Sequence, residues 1–269
     1  MFRDYKKNLF ESYKNIAGKV MPTLKESNFS ETGMLTPDEF IKAGDYLVKN
    51  YSNWSWYKLR GNSKKNVNYL PEGKQMLVNN NIICNKNKNI VIEEDEFGLN
   101  NITKDYEEEL NDKEEDESDD DCGEYDLSEF ELTDNVIEDV AAVNVKPKKE
   151  KRENKYNISI TYDNYFRTPR LWLMGFNSYN MPLSHEKMLK DISIEHSKIT
   201  VTVEEHPYYS DMYYISVHPC KHGHVMKRLI EEEKKNKKDI QVFEYFIYFL
   251  KFVSTIIPNL DFDRTFIKH

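Results

Sequence analysis

The chain has 269 residues, with 38 basic and 47 acidic side chains and a formal net charge of -9. A chain of this length forms one large domain or two small ones. Its 9 glycines and three cysteines exclude a collagen-like chain and a disulfide framework, and the odd cysteine count is typical of a reducing compartment.

The N-terminal segment places apolar side chains at helical spacing, and residues 1–25 carry a net charge of +4. This stripe has steps of three and four residues and comprises Phe2, Tyr5, Leu9, Tyr13 and Ile16. One interpretation is an amphipathic helix packed on the domain, and periodicity alone favours it. The other is an interfacial helix attracted to anionic lipid.

We expect neither a secretory signal nor a membrane-spanning segment. Its first residues lack an apolar core of signal-peptide length. The best membrane-spanning candidate, residues 240–257, contains Gln241, Glu244 and Lys251, which are costly in hydrocarbon. We therefore expect a soluble nucleocytoplasmic protein whose membrane contact, if any, is at the surface.

A second helix begins at Thr36-Pro37-Asp38-Glu39, which offers an N-cap threonine, a proline in the first turn and a capping-box glutamate. Phe40, Tyr46 and Leu47 are predicted to form its buried face. From residue 54 to 84 the runs NWSWYKLRG, VNYLPEG and QMLVNNNIIC predict two or three strands of an antiparallel meander.

A very acidic segment interrupts the chain. Residues 105–139 hold 19 Asp and Glu residues and one Lys, a net of -18, so the remainder has 28 acids and 37 bases, a net of +9. Across residues 92–152 the apolar side chains are too sparse to offset an ordering entropy of about 1–2 kcal/mol per residue. We therefore predict a disordered insertion that serves as an interaction segment.

After the insertion, NISITYDNYF, RLWLMGFNS, KITVTVEE and MYYISV predict four strands, with a short helix at SHEKMLKDI. A basic helix follows Cys220. A final apolar core helix, which begins near Asp239 and includes Val242 and Phe243, ends at Pro258. The predicted fold class is α+β, an antiparallel sheet flanked by N- and C-terminal helices.

The densest reactive cluster is His218-Pro219-Cys220-Lys221-His222-Gly223-His224, where a strand ends and a helix begins. The partial positive charge of a helix N-terminus favours a thiolate there. This setting suits a nucleophilic cysteine, and the alternative is an inert buried thiol. A metal site, built from Cys220 with these histidines or His206, is the rival chemistry, but the spacing matches no standard zinc pattern.

Other function classes lack their motifs. The sequence has no GxGxxG and no Walker loop, so we expect no nucleotide cofactor. Its basic residues are thinly spread and the acidic segment would compete for the same surface, so we expect no nucleic-acid partner.

Four segments in order resemble one family, the autophagy-related E2-like conjugating enzymes. SVHPCKHGHVMKRL, with Cys220 after His-Pro, resembles its active-site motif. FSETGMLTPDEFIKAGDYLV resembles its second helix, and YLPEGKQMLVNNNIIC its early hairpin. YDNYFRTPRLWLMGF and FIYFLKFVSTIIPNLDFD resemble its TPRLWL strand and final helix. The resemblance covers residues 1–85 and about 156–269.

The resemblance implies a ubiquitin-conjugating (E2-like) fold. Residues 1–91 and 153–269 would form one catalytic domain, with an amphipathic helix over 1–20 and a flexible acidic insertion over 92–152. It also implies an activity: Cys220 accepts a ubiquitin-like autophagy modifier as a thioester from an E1-like activating enzyme. The modifier then passes to the amine of phosphatidylethanolamine during autophagosome formation, without a metal or other cofactor.

The resemblance assigns further residues less directly. Ordinary ubiquitin-conjugating enzymes have an oxyanion-stabilising asparagine after His-Pro, where this chain has Cys220, so the stabiliser stays unassigned. His218 is expected to be structural and to fix the loop. Thr200 or Thr202 resembles a family threonine near the active site, and we assign that position to Thr200. The alternative is that Thr200 is an ordinary β-strand residue with no role in the site.

The family's N-terminal helix contacts curved membrane, which favours membrane binding for the stripe of Phe2, Tyr5, Leu9, Tyr13 and Ile16. The family's flexible region binds the activating enzyme, which suggests the same partner for the insertion. We therefore expect a cytoplasmic protein, peripheral at autophagosomal or related membranes. The alternative is a noncatalytic E2-like adaptor that recruits partners through its acidic insertion.

Overall fold

The computed structural model describes residues 17–18, 21–58, 67–84, 153–192, 201–209 and 212–262. The predicted N-terminal stripe, the acidic insertion and Thr200 lie outside these residues. None of the described helices combines the length and the apolar character that a transmembrane span requires.

The described elements are five α-helices and the six strands of one sheet, with two helices before the first strand and two after the last. The helices are α1 (Phe29–Thr32), α2 (Pro37–Asn50), α3 (His185–Ile192), α4 (His222–Lys235) and α5 (Tyr245–Ile256). The strands are β1 (Ser55–Tyr57), β2 (Met76–Ile83), β3 (Lys155–Asp163), β4 (Thr168–Phe176), β5 (Val201–Glu205) and β6 (Tyr213–Val217). Every neighbouring pair is antiparallel, in the order β1-β2-β3-β4-β6-β5. The predicted α+β class is confirmed.

The two parts of the chain on either side of residues 85–152 share this sheet. Strand β2 pairs with β3, with Leu77 opposite Ile160. Beyond the end of β2, the Cys84 N–H donates to the carbonyl of Asn154 at 2.9 Å. The chain therefore leaves the sheet and returns to it at one point.

Helix α2 begins as the sequence predicts. The Thr36 hydroxyl accepts the Glu39 N–H at 3.2 Å, and the Glu39 carboxylate accepts the Thr36 N–H at 2.8 Å. Phe40 and Leu47 are fully buried. Tyr46 is only half-buried and packs its ring against the exposed Phe243 at 4.9 Å, so assigning either aromatic to the core was wrong.

The run VNYLPEG forms no strand, so of the predicted two or three strands of the meander the structure has two. It is a loop that ends in the 3-10 helix Glu72–Lys74. The buried Gln75 amide holds this loop by donating to the carbonyls of Leu70, at 2.7 Å, and Pro71, at 3.1 Å. The Gln75 side chain thus supplies to these two carbonyls the donors that a neighbouring strand would otherwise provide.

One face of the sheet forms the main core. Its strands contribute fully buried apolar side chains, among them Leu77, Ile160, Leu171, Ile215 and Val217. Helix α5 lies in this core, as predicted from its apolar sequence, with Phe246 and Phe249 fully buried. Burial of such aromatic side chains contributes about 1.5–3 kcal/mol each.

Strand β4 is buried on both faces from Thr168 to Gly175. Its second face carries Arg170 and Trp172, and the Trp172 ring lies 5.0 Å from the ring of His206. A central strand covered on both sides fixes its side chains tightly. Strand β4 is therefore held firmly in place beside β6, and it can position the loop that follows β6.

Helix α1 ends in close contact with the first turn of α4. Gly33 has a φ of +68°, and a Cβ built on it would lie 2.0 Å from the Gly223 carbonyl oxygen. The Tyr245 hydroxyl donates to the Gly33 carbonyl at 2.8 Å. Only glycine permits both the left-handed backbone and this approach.

We predict that Gly33→Ala lowers the free energy of unfolding by about 1–3 kcal/mol, because overlap and backbone strain add. Urea unfolding measures the change. Gly73→Ala is the matched control, since a Cβ at Gly73 meets nothing within 4 Å. Equal stability of the two variants would contradict the packing described for Gly33.

Candidate active site

Cys220 lies at the strand-to-helix junction that the sequence predicts. Strand β6 ends at Val217, the 3-10 helix Pro219–Lys221 follows, and α4 begins at His222. Cys220 is half-buried, whereas Cys84 is buried. The first turn of α4 carries no acidic side chain, so negative charge that develops at Cys220 meets no carboxylate from that turn.

His218 fixes the backbone of the cysteine. Its buried imidazole accepts the Cys220 N–H at Nδ1, over 3.3 Å. The ring of Phe166, from the turn between β3 and β4, packs edge-on against it at 5.3 Å. Because Nδ1 accepts a hydrogen bond, it carries no proton in this arrangement.

His222, two residues after Cys220 in the sequence, is buried. Its side chain is 1% exposed, and its Nδ1 lies 2.9 Å from the carbonyl oxygen of Pro169, to which it donates. Burial lowers the pKa of His222 to about 4. Its Nε2 has no hydrogen-bond partner among the described residues. His222 is therefore a neutral packing residue.

The rival metal ligands are not brought together. His206 lies on the second face of the sheet, where its Nε2 is 3.1 Å from the Ser159 hydroxyl and its Nδ1 accepts the Tyr208 N–H. Within the described ranges, no group of three or more His, Cys, Asp or Glu side chains is arranged to hold a metal ion.

Thr200 falls outside the described residues, so its assignment stays a prediction. Its neighbour Val201 pairs with Val217 at the end of β6. Thr202 is buried opposite Ser216, and its hydroxyl donates to the Glu204 carboxylate.

Sequence reasoning missed a buried polar network on the second face of the sheet. Arg170 is 4% exposed, and its Nε donates to the Ser216 hydroxyl at 2.8 Å. Its guanidinium also donates to Glu204, lies 3.7 Å from the Asp163 carboxylate and stacks 4.5 Å from the Trp172 ring. The one available signal was an arginine inside an apolar strand.

A half-buried cysteine between a β-strand and a helix, with its N–H bound to a preceding histidine, is a setting that suits a cysteine nucleophile. A family model described as "Autophagocytosis associated protein, active-site domain" matches residues 39–264. That range includes every residue of the site described above.

Relatives named "Autophagy-related protein 3" match nearly full length. The protein of Schizosaccharomyces pombe is 33% identical over 96% of this chain and 98% of its own. That of Arabidopsis thaliana is 33% identical over 96% and 95%, and that of Dictyostelium discoideum 31% identical over 98% of both. The chain belongs to the autophagy-related protein 3 family, the E2-like enzymes that conjugate the autophagy modifier to phosphatidylethanolamine.

The depressed pKa of His222 predicts a pH-dependent stability. Above pH 6.5, the pKa of an unperturbed histidine, the His222 imidazole is neutral in both the folded and the unfolded state. In that range His222 does not lower the free energy of unfolding. As the pH falls towards about 4, the pKa of His222 in the folded protein, the imidazole binds a proton in the unfolded state but stays neutral in the native state. We expect the free energy of unfolding to fall by about 2 kcal/mol between pH 7 and pH 5 from this residue alone.

Urea unfolding of wild type and His222→Asn at both pH values measures this contribution, because asparagine retains a donor but does not titrate. The pH-dependent loss should be about 2 kcal/mol smaller in His222→Asn. An identical loss in both proteins would show that His222 is not the titrating group.

Proposed function

We propose that Cys220 is the thiol that carries the modifier in this protein, within an E2-like catalytic domain formed by residues 1–91 and 153–269. The observation that supports this role is its half-buried position at the junction of β6 and α4, with its N–H bound to His218. His218 would then hold the conformation of the loop, as the sequence suggests, and would take no part in proton transfer.

The chemistry is two acyl transfers. The Cys220 thiolate attacks the thioester that joins the modifier to the activating enzyme, a new C–S bond forms, and the enzyme's thiolate leaves. The neutral amine of phosphatidylethanolamine then attacks the carbonyl carbon, a C–N bond forms and the C–S bond breaks. The nitrogen loses one proton to water, and the Cys220 thiolate departs. Each step needs a well-placed carbonyl and stabilisation of its oxyanion.

The lipid partner would meet the chain at its N-terminal stripe. The aromatic and aliphatic spacing of that segment and its net charge of +4 suit an anionic membrane surface. Further support comes from the residues that follow it: the Asn164 amide donates to the carbonyls of Gly18, at 2.8 Å, and Met21, at 3.0 Å. Asn164 and Phe166, which packs on His218, belong to one turn.

The acidic insertion would be disordered and would dock on a basic surface of the activating enzyme. A net charge of -18 over residues 105–139 supports this role, because complementary charge raises association rates. The protein would then be cytoplasmic and peripheral at autophagosomal or related membranes.

The central prediction concerns the thiol. With activating enzyme, modifier and ATP, wild type should form an adduct that a reductant releases, because a thioester exchanges with added thiol. Cys220→Ser should give a reductant-resistant ester or no adduct, as resolved on denaturing gels. The Cys84→Ser control should load normally. A reductant-labile adduct on Cys220→Ser would contradict the assignment.

The membrane prediction concerns two residues of the stripe. Leu9→Asp with Ile16→Asp should weaken liposome-dependent conjugation at least about tenfold, because two charges in the apolar face oppose membrane burial. Thioester formation should stay intact. Conjugation to lipid and adduct formation are measured in parallel.

The matched control places the same charges off the stripe, as Asn8→Asp with Asn15→Asp, and should lose much less activity. Equal loss of both steps in the stripe variant would favour a helix that packs on the domain. Equal loss of conjugation in stripe and control variants would point to charge alone.

A further inference from the structure

Two consecutive residues of β4 hold the backbone on either side of Cys220. Before the cysteine, the Arg170 Nε donates to the Ser216 hydroxyl at 2.8 Å, and that hydroxyl lies 3.4 Å from the Val217 carbonyl, to which it donates. After the cysteine, the Pro169 carbonyl accepts from His222 at 2.9 Å. The loop of Cys220 is thus fixed at both ends to one strand.

Arg170 is itself held on several sides. Its guanidinium donates to the Glu204 carboxylate of β5, which also accepts the hydroxyl of Thr202. It also lies 3.7 Å from Asp163 at the end of β3. A buried guanidinium is costly unless its donors are satisfied in good geometry. The planar Arg170 guanidinium therefore has one favoured position. In that position it connects β4 with β3, β5 and β6.

We propose that Arg170, Ser216 and Glu204 are positioning residues for the acyl transfer. They fix Val217 at the end of β6 and, through the short loop that follows, set where the thioester carbonyl on Cys220 stands. A displacement of about 1 Å at a reacting centre costs up to about a hundredfold in rate. This inference rests on the proposed role of Cys220.

The two reaction steps should respond differently when the network is broken. Loading requires that the Cys220 sulfur reach a thioester held by the activating enzyme. Discharge requires that the carbonyl on Cys220 be held still for an amine from the membrane. A network that merely stabilised the fold would lower the melting temperature and leave the ratio of the two rates unchanged.

The test compares two buried hydroxyls on the same sheet face. Ser216→Ala removes the link between Arg170 and Val217. Thr161→Val is the matched control, since the Thr161 hydroxyl accepts the Trp172 indole N–H at 2.9 Å and, among the described residues, does not bond to the loop that carries Cys220. Each variant is loaded, the activating enzyme is quenched, and discharge is followed with vesicles that contain phosphatidylethanolamine.

We expect Ser216→Ala to discharge about tenfold more slowly than Thr161→Val, with loading rates within about threefold of each other. Discharge of Ser216→Ala at the rate of the control would overturn the inference. If wild type itself formed no thioester, the proposed function would fail and this inference with it, so the two failures are distinguishable.

A second pair keeps the test decisive if Ser216→Ala does not fold. Thr202→Val removes the hydroxyl that donates to Glu204, while Thr202→Ser keeps it. Discharge should slow in the valine variant, at unchanged loading, and return towards wild type in the serine variant. Equal discharge by both variants would reject the network as a positioning element.

Discussion

The burial of strand β4 on both faces is the constraint on which the rest of the structure depends. Its core side anchors the helices through Leu171 and Leu173, and its second side buries Arg170 and Trp172. A strand enclosed in this way cannot shift without breaking both layers. The loop that carries Cys220 is tied to that strand through Ser216 before it and His222 after it.

The sequence predicted the elements whose signals are local. The capping box at Thr36 and Glu39, the final core helix and the junction at Cys220 each follow from residues close together in the chain. The pattern of apolar and β-branched runs was sufficient for the α+β class. The family resemblance was then carried by short motifs within those elements, and the comparisons with known proteins confirmed it.

What the sequence did not predict depends on contacts between distant residues. Arg170 and Glu204 are 34 positions apart, and periodicity gives no sign that a charge pair lies on the second face of the sheet. Tyr46 and Phe243 satisfy the helical pattern but pack on each other near the surface. His222 looked like a reactive neighbour of Cys220, and only its burial beside Phe249 and Phe252 reveals a neutral packing residue.

The overall charge of -9 conceals a division between a body of +9 and an acidic segment of -18. In the proposed account the two parts serve different partners, an anionic membrane and a basic protein surface. Cys84 and Asn154, which flank residues 85–152, are joined by a backbone hydrogen bond at the edge of that gap in the described chain. In that account, the division would let one cysteine serve two docking events in turn.

A single-turnover chase tests the central claim most directly. Protein loaded with the modifier is freed of activating enzyme and mixed with vesicles that contain phosphatidylethanolamine, and thioester and lipid-linked modifier are quantified together. The account predicts that the thioester on Cys220 disappears at the rate at which the lipid-linked product appears. Product that forms while the thioester persists would contradict it.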